Sequence, residues 1–431
     1  MIGRILGGIW LERVGSRRSV PGGLRVLRTV AQFLVASVMC PFLLLAACAV
    51  SLGGRRRNPR LVWGPTPIIN IKYLSQAAKL YGYQSQTVVY TIYPANRRED
   101  FDLVIDDFVP RVRILGVNPL KLIGLGCYVV FIWALFTHDI FHFFYDGGFL
   151  SPTPLRFLEC QLLQLAGKKV VMIPYGSDVA IVSNMKEHDR QMWLREYPRA
   201  AERDAVVRKQ VLYFTRRADF VIACDNQTRW FQPRQDLLLF SYMAIDTDSW
   251  SPDGNYSAAD GRTGEVVVLH TPNHRAIKGT QYLIEAVERL RQNGLKVRLE
   301  ILEGRPNDEV KAALQKADIL AEQFFGGYGL SGIEGMTLGK PVLSNLSRHP
   351  REIIERTSLK ECPVMVTPVE KIEDNLRLLV EDPELRRSLG RAGRLYVEKY
   401  HSLRAIGGIL NDIYRKVWLG EKVDFGWLGQ A

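Results

Sequence analysis

Apolar and polar positions divide the chain into three regimes. Residues 29–54 contain no charged side chain. About 20 apolar residues suffice to cross a bilayer, so this run is long enough to span one. From 61 to 245, short apolar runs alternate with stretches of helical spacing. Leu61, Val62 and Trp63 read as a strand, Gly64-Pro65-Thr66-Pro67 as a turn, 71–80 as a helix and 86–90 as the next strand. Further buried-strand candidates lie at 139–144, 169–173 and 218–223. A polar stretch with glycine and proline, 246–264, reads as a linker. The alternation then restarts with a strand at 265–269, an amphipathic helix at 279–293, a strand at 297–302 and a helix at 307–316. A short strand at 318–320, a helix opening at 332 and a strand at 341–343 follow. The segment 383–418 is helical and can lean back across what precedes it.

Strands separated by helices imply parallel sheets covered on both faces. A length of 431 residues is long for one core and comfortable for two. The expected class is α/β, with two Rossmann-like domains facing a central cleft and a hydrophobic N-terminal segment. The expected boundaries are a basic region with the membrane segment at 1–57, a first, acceptor-side domain at 58–245 and the linker at 246–264. A nucleotide-binding domain at 265–395 follows, and a C-terminal helix at 396–431 packs toward the first domain. Ligands of this architecture bind in the cleft outside the carboxyl ends of the strands. A second apolar run, 122–137, is 16 residues long and short for a span. It reads as a buried or membrane-resting helix of the first domain.

Charge changes the picture only at the N-terminus. The net charge is +12, yet residues 1–60 hold ten arginines and a single acid, Glu12. That segment carries +9 and leaves +3 for the rest. A basic segment beside an apolar run points to anionic lipid headgroups. Nucleic acid would call for basic residues over a folded face with aromatics interleaved, and that pattern is missing from the sequence. Arg17, Arg18, Arg25 and Arg28 precede the apolar run, and Arg55, Arg56, Arg57 and Arg60 follow it. Arginines on both sides give no orientation. Pro41 either kinks a spanning helix or turns a re-entrant one back to the cytoplasmic face. Leu45-Ala46-Ala47-Cys48 resembles a lipoprotein cleavage box, but the charged region ahead of it is long for a signal peptide. Cys40, Cys48, Cys127, Cys160, Cys224 and Cys362 have neither zinc-site nor disulfide spacing. They read as buried free thiols in a reducing compartment.

Two features are suited to anions. The strand ending at Leu269 feeds a loop, and Lys278-Gly279 opens the next helix. Lys278 can reach a phosphate there, with Arg275 as a second cation; a solvated basic loop is the other reading. The second feature is Gly-Gly-Tyr-Gly-Leu-Ser-Gly-Ile-Glu at 326–334. Its glycines let amides approach an anion, and the helix that follows adds its dipole. Glu334, inside the first turn, can accept two ribose hydroxyls or serve only as a favourable first-turn acid. In the first domain, Tyr175-Gly176-Ser177-Asp178 is either a strand-end turn or a pair of positioning groups. Tyrosine is a poor base at neutral pH. His138 and His142 are four apart but bracket a predicted strand, so no metal site is expected.

The run Gly-Leu-Ser-Gly-Ile-Glu-Gly-Met-Thr-Leu-Gly-Lys-Pro-Val at 329–342 resembles the donor-site signature of family-4 retaining glycosyltransferases of the GT-B fold. Thr271 to Gly279 resembles that family's phosphate loop, and Ala244-Ile245-Asp246 with Trp250 its hinge. The resemblance covers about residues 60–420 and is strongest over 262–400. It implies that Lys278 binds the diphosphate, that Glu334 holds the ribose, and that the amides of Gly329 and Leu330 face the phosphate or sugar. Gly64, Asn273, Arg275 and Gln323 complete the implied donor side, and Tyr175 and Asp178 stand at the catalytic centre. No metal or resident cofactor is implied; a nucleoside-diphosphate sugar is the co-substrate. The acceptor would be lipid-linked or a glycan, at the cytoplasmic face of the inner membrane, in cell-envelope synthesis.

Three positions depart from the family pattern. Gly326 stands where members carry a sugar-contacting glutamate, with Glu322 or Gln323 as substitutes. Asn273 stands at the phosphate-loop arginine. Tyr175 stands where many members have a histidine. Arg305 is a candidate neighbour of the base. Two other classes remain open: a sugar-nucleotide 2-epimerase of the same architecture, and a non-catalytic scaffold.

Overall fold

The computed structural model describes residues 22–110, 112, 118–224, 234–254 and 256–425. Expectations for residues 1–21 and 426–431 fall outside them. Helix α1 (Gly22–Ser51) is continuous through Pro41. The re-entrant turn is therefore not formed. Proline removes one backbone hydrogen bond, but beyond it Leu43 and Ala47 continue the packed face begun by Ala36.

The first domain contains β1 (Leu61–Trp63), α2 (Asn70–Leu80), β2 (Ser85–Val89) and β3 (Leu103–Val104). It continues with α3 (Leu125–Thr137), β4 (Ile140–Phe143), α4 (Glu159–Leu165) and β5 (Lys169–Met172). Helices α5 (Glu187–Glu196) and α6 (Asp204–Arg217), then β6 (Phe220–Cys224) and β7 (Leu237–Leu239), complete it. The sheet is parallel, in the order β3-β2-β1-β4-β5-β6-β7. The strands are short and continuously apolar because both sheet faces are covered. One face packs α3, α4 and α6, with α1 lying outside α3 and α4. The second apolar run is thus α3, buried between the sheet and α1.

No helix or strand is assigned among the described residues of 246–264. The second domain then runs through β8 (Val266–His270), α7 (Thr280–Gln292), β9 (Val297–Ile301) and α8 (Asn307–Lys316). Strand β10 (Ile319–Gln323), α9 (Leu330–Thr337), β11 (Val342–Ser344) and β12 (Met365–Val366) follow. Its sheet is parallel, in the order β12-β11-β10-β8-β9. Helices α10 (Ile372–Glu381), α11 (Pro383–Tyr400) and α12 (Leu403–Tyr414) follow, and a π-helical turn, Arg415–Leu419, continues from α12.

The C-terminal segment is two helices rather than one. The break falls at His401-Ser402, where the Ser402 hydroxyl caps α12 through the Ala405 amide at 3.1 Å. Helix α12 lies on α2 of the first domain, and Tyr414 reaches His142 at 2.9 Å. Two crossings between the domains run side by side, joined by a bridge from Ile245 to Ser402.

Candidate active site

The second sheet changes winding direction at β8. The strand after β8 lies on one side of it and β10 on the other. The loops leaving β8 and β10 therefore diverge and leave a crevice at their carboxyl ends. His270 fixes the first loop: its ring bonds Ala321 O at 2.7 Å and Thr280 Oγ1 at 2.8 Å. Burial holds this histidine down at about 4, so it is neutral and structural. A helical turn, Arg275–Lys278, follows and closes on Gly279 at φ 74°.

Lys278 points inward. It is buried, and its ammonium donates to Glu322 Oε1. Ser331 Oγ bonds the same oxygen at 3.0 Å, and Ser344 Oγ bonds Glu322 Oε2 at 3.3 Å. The lysine of one loop and the first turn of α9 on the other thus meet on one carboxylate. Helix α9 opens at Gly329 without a side-chain cap, so its first amides face the crevice uncapped. Its backbone approaches the sheet closely because Gly335 has no side chain: a Cβ there would lie 2.5 Å from Leu320.

Glu334 is buried and accepts a hydrogen bond from Asn307 at 2.6 Å. Burial pushes its carboxyl up to about 7, against the opposing pull of Asn307 and the Lys278 charge. Tyr73 of α2 lies near enough for the Glu334 charge to raise its hydroxyl further above the usual range, after burial. The first domain therefore lies within electrostatic range of this carboxylate.

The other expected donor residues are placed unevenly. The Gln323 amide donates to the carbonyls of Gly326 and Gly327 and braces the glycine loop. Arg275 is exposed and held in a two-bond pair by Glu303 at 2.8 Å. Asn273 is exposed. Arg305 is exposed, 3.8 Å from Glu309. A Cβ on Gly326 would meet nothing within 4 Å. Gly64 is buried at φ 149°, where a Cβ would fall 1.9 Å from Val88 O. Close strand packing accounts for this glycine, and it lies in the first domain, apart from the crevice of the second.

Across the cleft, Asp178 is buried and accepts three amides: Tyr145 at 3.0 Å, Tyr175 at 3.0 Å and Gly176 at 2.9 Å. Burial, then the nearby Asp146, lifts it to about 7. Its oxygens shape the turn. The Tyr175 hydroxyl donates to Asp146 Oδ2. Sequence reasoning missed Asp146, although a carboxylate just beyond the strand Ile140–Phe143 was a usable signal. It also missed Glu196 and Tyr197 at the end of α5. Glu196 Oε1 accepts the Ala276 amide at 2.6 Å, and the Tyr197 hydroxyl meets His274 Nε2 at 2.5 Å. Only tertiary structure brings α5 to that loop. The glycine loop, in turn, is tied to the hinge, because the Tyr328 hydroxyl bonds His401 at 2.9 Å and His401 bonds Met243 O at 2.9 Å.

Among the described residues no group of three potential ligands could hold a metal ion. His138 bonds Gln86, and His142 bonds Val62 O and Tyr414.

Two parallel α/β domains across a cleft, with an uncapped glycine-rich helix start on the second, define the GT-B class. Residues 276–396, most of the second domain, match the family model of glycosyl transferases group 1. No curated protein matches the chain. The crystal structure of Anabaena HepE in complex with UDP-glucose superposes with a TM-score of 0.50 at 14% identity, over 83% of this chain and 99% of that one. An S. aureus MnaA-UDP co-structure superposes with a TM-score of 0.49 at 15% identity, over 85% and 99%. At such identity the likeness to HepE is one of fold. Among the described residues one helix, Val26–Ser51, is long and apolar enough to cross a membrane.

Proposed function

We propose that this glycosyltransferase moves a sugar, with retention, from a nucleoside-diphosphate sugar to a lipid-linked or polysaccharide acceptor at the cytoplasmic face of the inner membrane. The convergence of Lys278 and Ser331 on Glu322 carries the reading. It sets a fixed cation beside the uncapped start of α9, and both stabilise a leaving diphosphate. Glu334, one turn further, accepts the ribose hydroxyls. Asp178 shapes the acceptor-side turn, and Tyr175 with Asp146 positions the acceptor hydroxyl. The leaving phosphate takes that hydroxyl's proton on the donor face. No metal enters this scheme. The apolar N-terminal helix and its arginines support the membrane part.

Purified protein in detergent should release nucleoside diphosphate from one donor of a panel beginning with UDP-glucose, only when a membrane lipid extract is present. Conversion of the donor without acceptor would replace transfer by epimerisation, and no release from any donor would leave a scaffold. Glu334→Ala should weaken donor binding by more than about tenfold, since it removes two charge-assisted hydrogen bonds. Unchanged affinity in calorimetry would move the ribose site elsewhere.

A further inference from the structure

Helix α1 has two opposed faces. Ala36, Leu43 and Ala47 are buried, and Val35, Met39, Ala46 and Val50 pack beside them on the first-domain core. Leu27, Val30, Leu34, Val38, Phe42 and Leu45 are exposed. At 100° per residue these six fall opposite the packed face. The half of α1 from residue 35 onward is therefore clamped along α3 and α4. Nearer its start Arg28, Ala31 and Gln32 are still partly covered, so no stretch of the ~20 residues a span needs stands clear of the domain.

A second feature lies on the same side of the domain. Helix α4 packs against α1 on one flank and α6 on the other. The outer face of α6 bears a cavity of about 620 Å³ lined by Arg208, Lys209, Arg216 and Arg217, with Ser183 at its rim. Positions 208, 209 and 216 share one helical face. Among the described residues none of the four is ion-paired to a carboxylate: Arg208 reaches the Asn184 amide oxygen at 3.3 Å, Lys209 lies over Phe157 and Arg217 over Tyr213. The one acid in the cavity, Asp204, is engaged by the amides of Val182 and Ser183 at 2.8 and 2.7 Å.

We propose that the first domain lies flat on an anionic phospholipid bilayer, with α1 in the plane of the interface and the α6 cavity receiving phosphate headgroups. An apolar stripe flanked by unneutralised cations is the signature of in-plane binding. A second copy of this chain would fit poorly, because the same cations would face one another across the contact. The inference deepens the membrane part of the proposed function and is independent of the chemistry.

Flotation of the full chain with vesicles tests it. Binding should be strong to phosphatidylcholine vesicles containing phosphatidylglycerol, weak to phosphatidylcholine alone, and reduced by salt. Each cation near such a surface is worth roughly fivefold in partitioning, so Arg208→Glu with Arg216→Glu should weaken binding by at least about 25-fold. Circular dichroism and melting temperature confirm that this variant is folded. Inorganic phosphate at millimolar levels should compete only weakly; full release by it would make the cavity a free-phosphate site and overturn the headgroup assignment. Environment-sensitive labels on Leu27→Cys and Leu45→Cys, in a Cys40→Ser, Cys48→Ser background, should report equal, shallow depth. These positions are about 27 Å apart along the helix, so unequal depths would establish a span. Binding indifferent to phosphatidylglycerol, or dimerisation that excludes vesicles, would also overturn the proposal. Glu334→Ala should bind vesicles as the wild type does, which separates failure here from failure of the donor site.

Discussion

Glu334 shows how burial sets the chemistry of a single side chain. Its carboxyl titrates at about 7 because it is buried, not because of its charged neighbour. Ribose hydroxyls donate to the ionised form, so donor binding releases a proton. Affinity should therefore rise as pH rises from about 6 to about 8 and level off above, and Glu334→Gln should flatten that rise. Calorimetry in buffers of different ionisation enthalpy reads the proton directly. The glycines divide in the same physical way. At Gly64 a side chain would strike Val88 O and the backbone favours glycine. Gly64→Ala should cost about 3 kcal/mol or more in denaturant unfolding. Gly326 faces open space. Gly326→Glu should leave the melting temperature within about 2 °C, because surface changes of this kind are small, while altering which donor sugar is used. A large loss of stability would show that glycine is required there.

At the scale of elements, contacts between distant segments decide the site. Helix α5 of the first domain reaches the Lys278 loop, where the Glu196 carboxylate takes the Ala276 amide. An acceptor oxygen already bound to that amide competes with a donor phosphate for it. Glu196→Ala should lower donor KM by about threefold or more, within the range of one charge-assisted bond. An unchanged KM would mean that the phosphate binds without this amide. The strands and the longer helices of both domains were legible from periodicity, because both sheets are buried and their strands read as apolar runs. Strands β3 and β12 have two residues each, too few to show a period. The break between α11 and α12 was likewise hidden. Helical spacing continues on both sides of it, and the Ser402 cap is a single residue.

For the whole molecule, buried titratable groups set the pH range of stability. Burial lifts Glu159 to about 8, and Asp178 and Glu334 to about 7. Their folded values exceed their unfolded ones, so the native state keeps protons that the unfolded state has lost. Their contribution is present in acid and is lost as pH rises to about 8. The buried histidines His138, His270 and His401 are held down at about 4. They work the other way, and what they contribute is lost as pH falls from about 6.5 toward 4. Urea midpoints should therefore peak near pH 6.5 and drop by about pH 8.5, and Glu159→Gln should shrink the alkaline drop. A flat profile above neutrality would show that Glu159 is not held neutral.

Taken alone, the sequence determined what depends on local pattern. Period and apolar run length marked the two sets of alternating elements. Glycine spacing and a helix start marked an anion site around 326–334, and uncompensated arginines marked the N-terminus as a candidate lipid contact. The chain could not show what depends on which surfaces meet. Residues 278, 322 and 331 share one oxygen because a parallel sheet reverses its winding at β8. Asp178 became the brace of a turn because three amides converge on it. The apolar run of 29–54 became a helix clamped along a domain because one of its faces matched α3 and α4. Pairing across tens to hundreds of residues follows from packing and topology, and these leave no periodic trace in the segments they join.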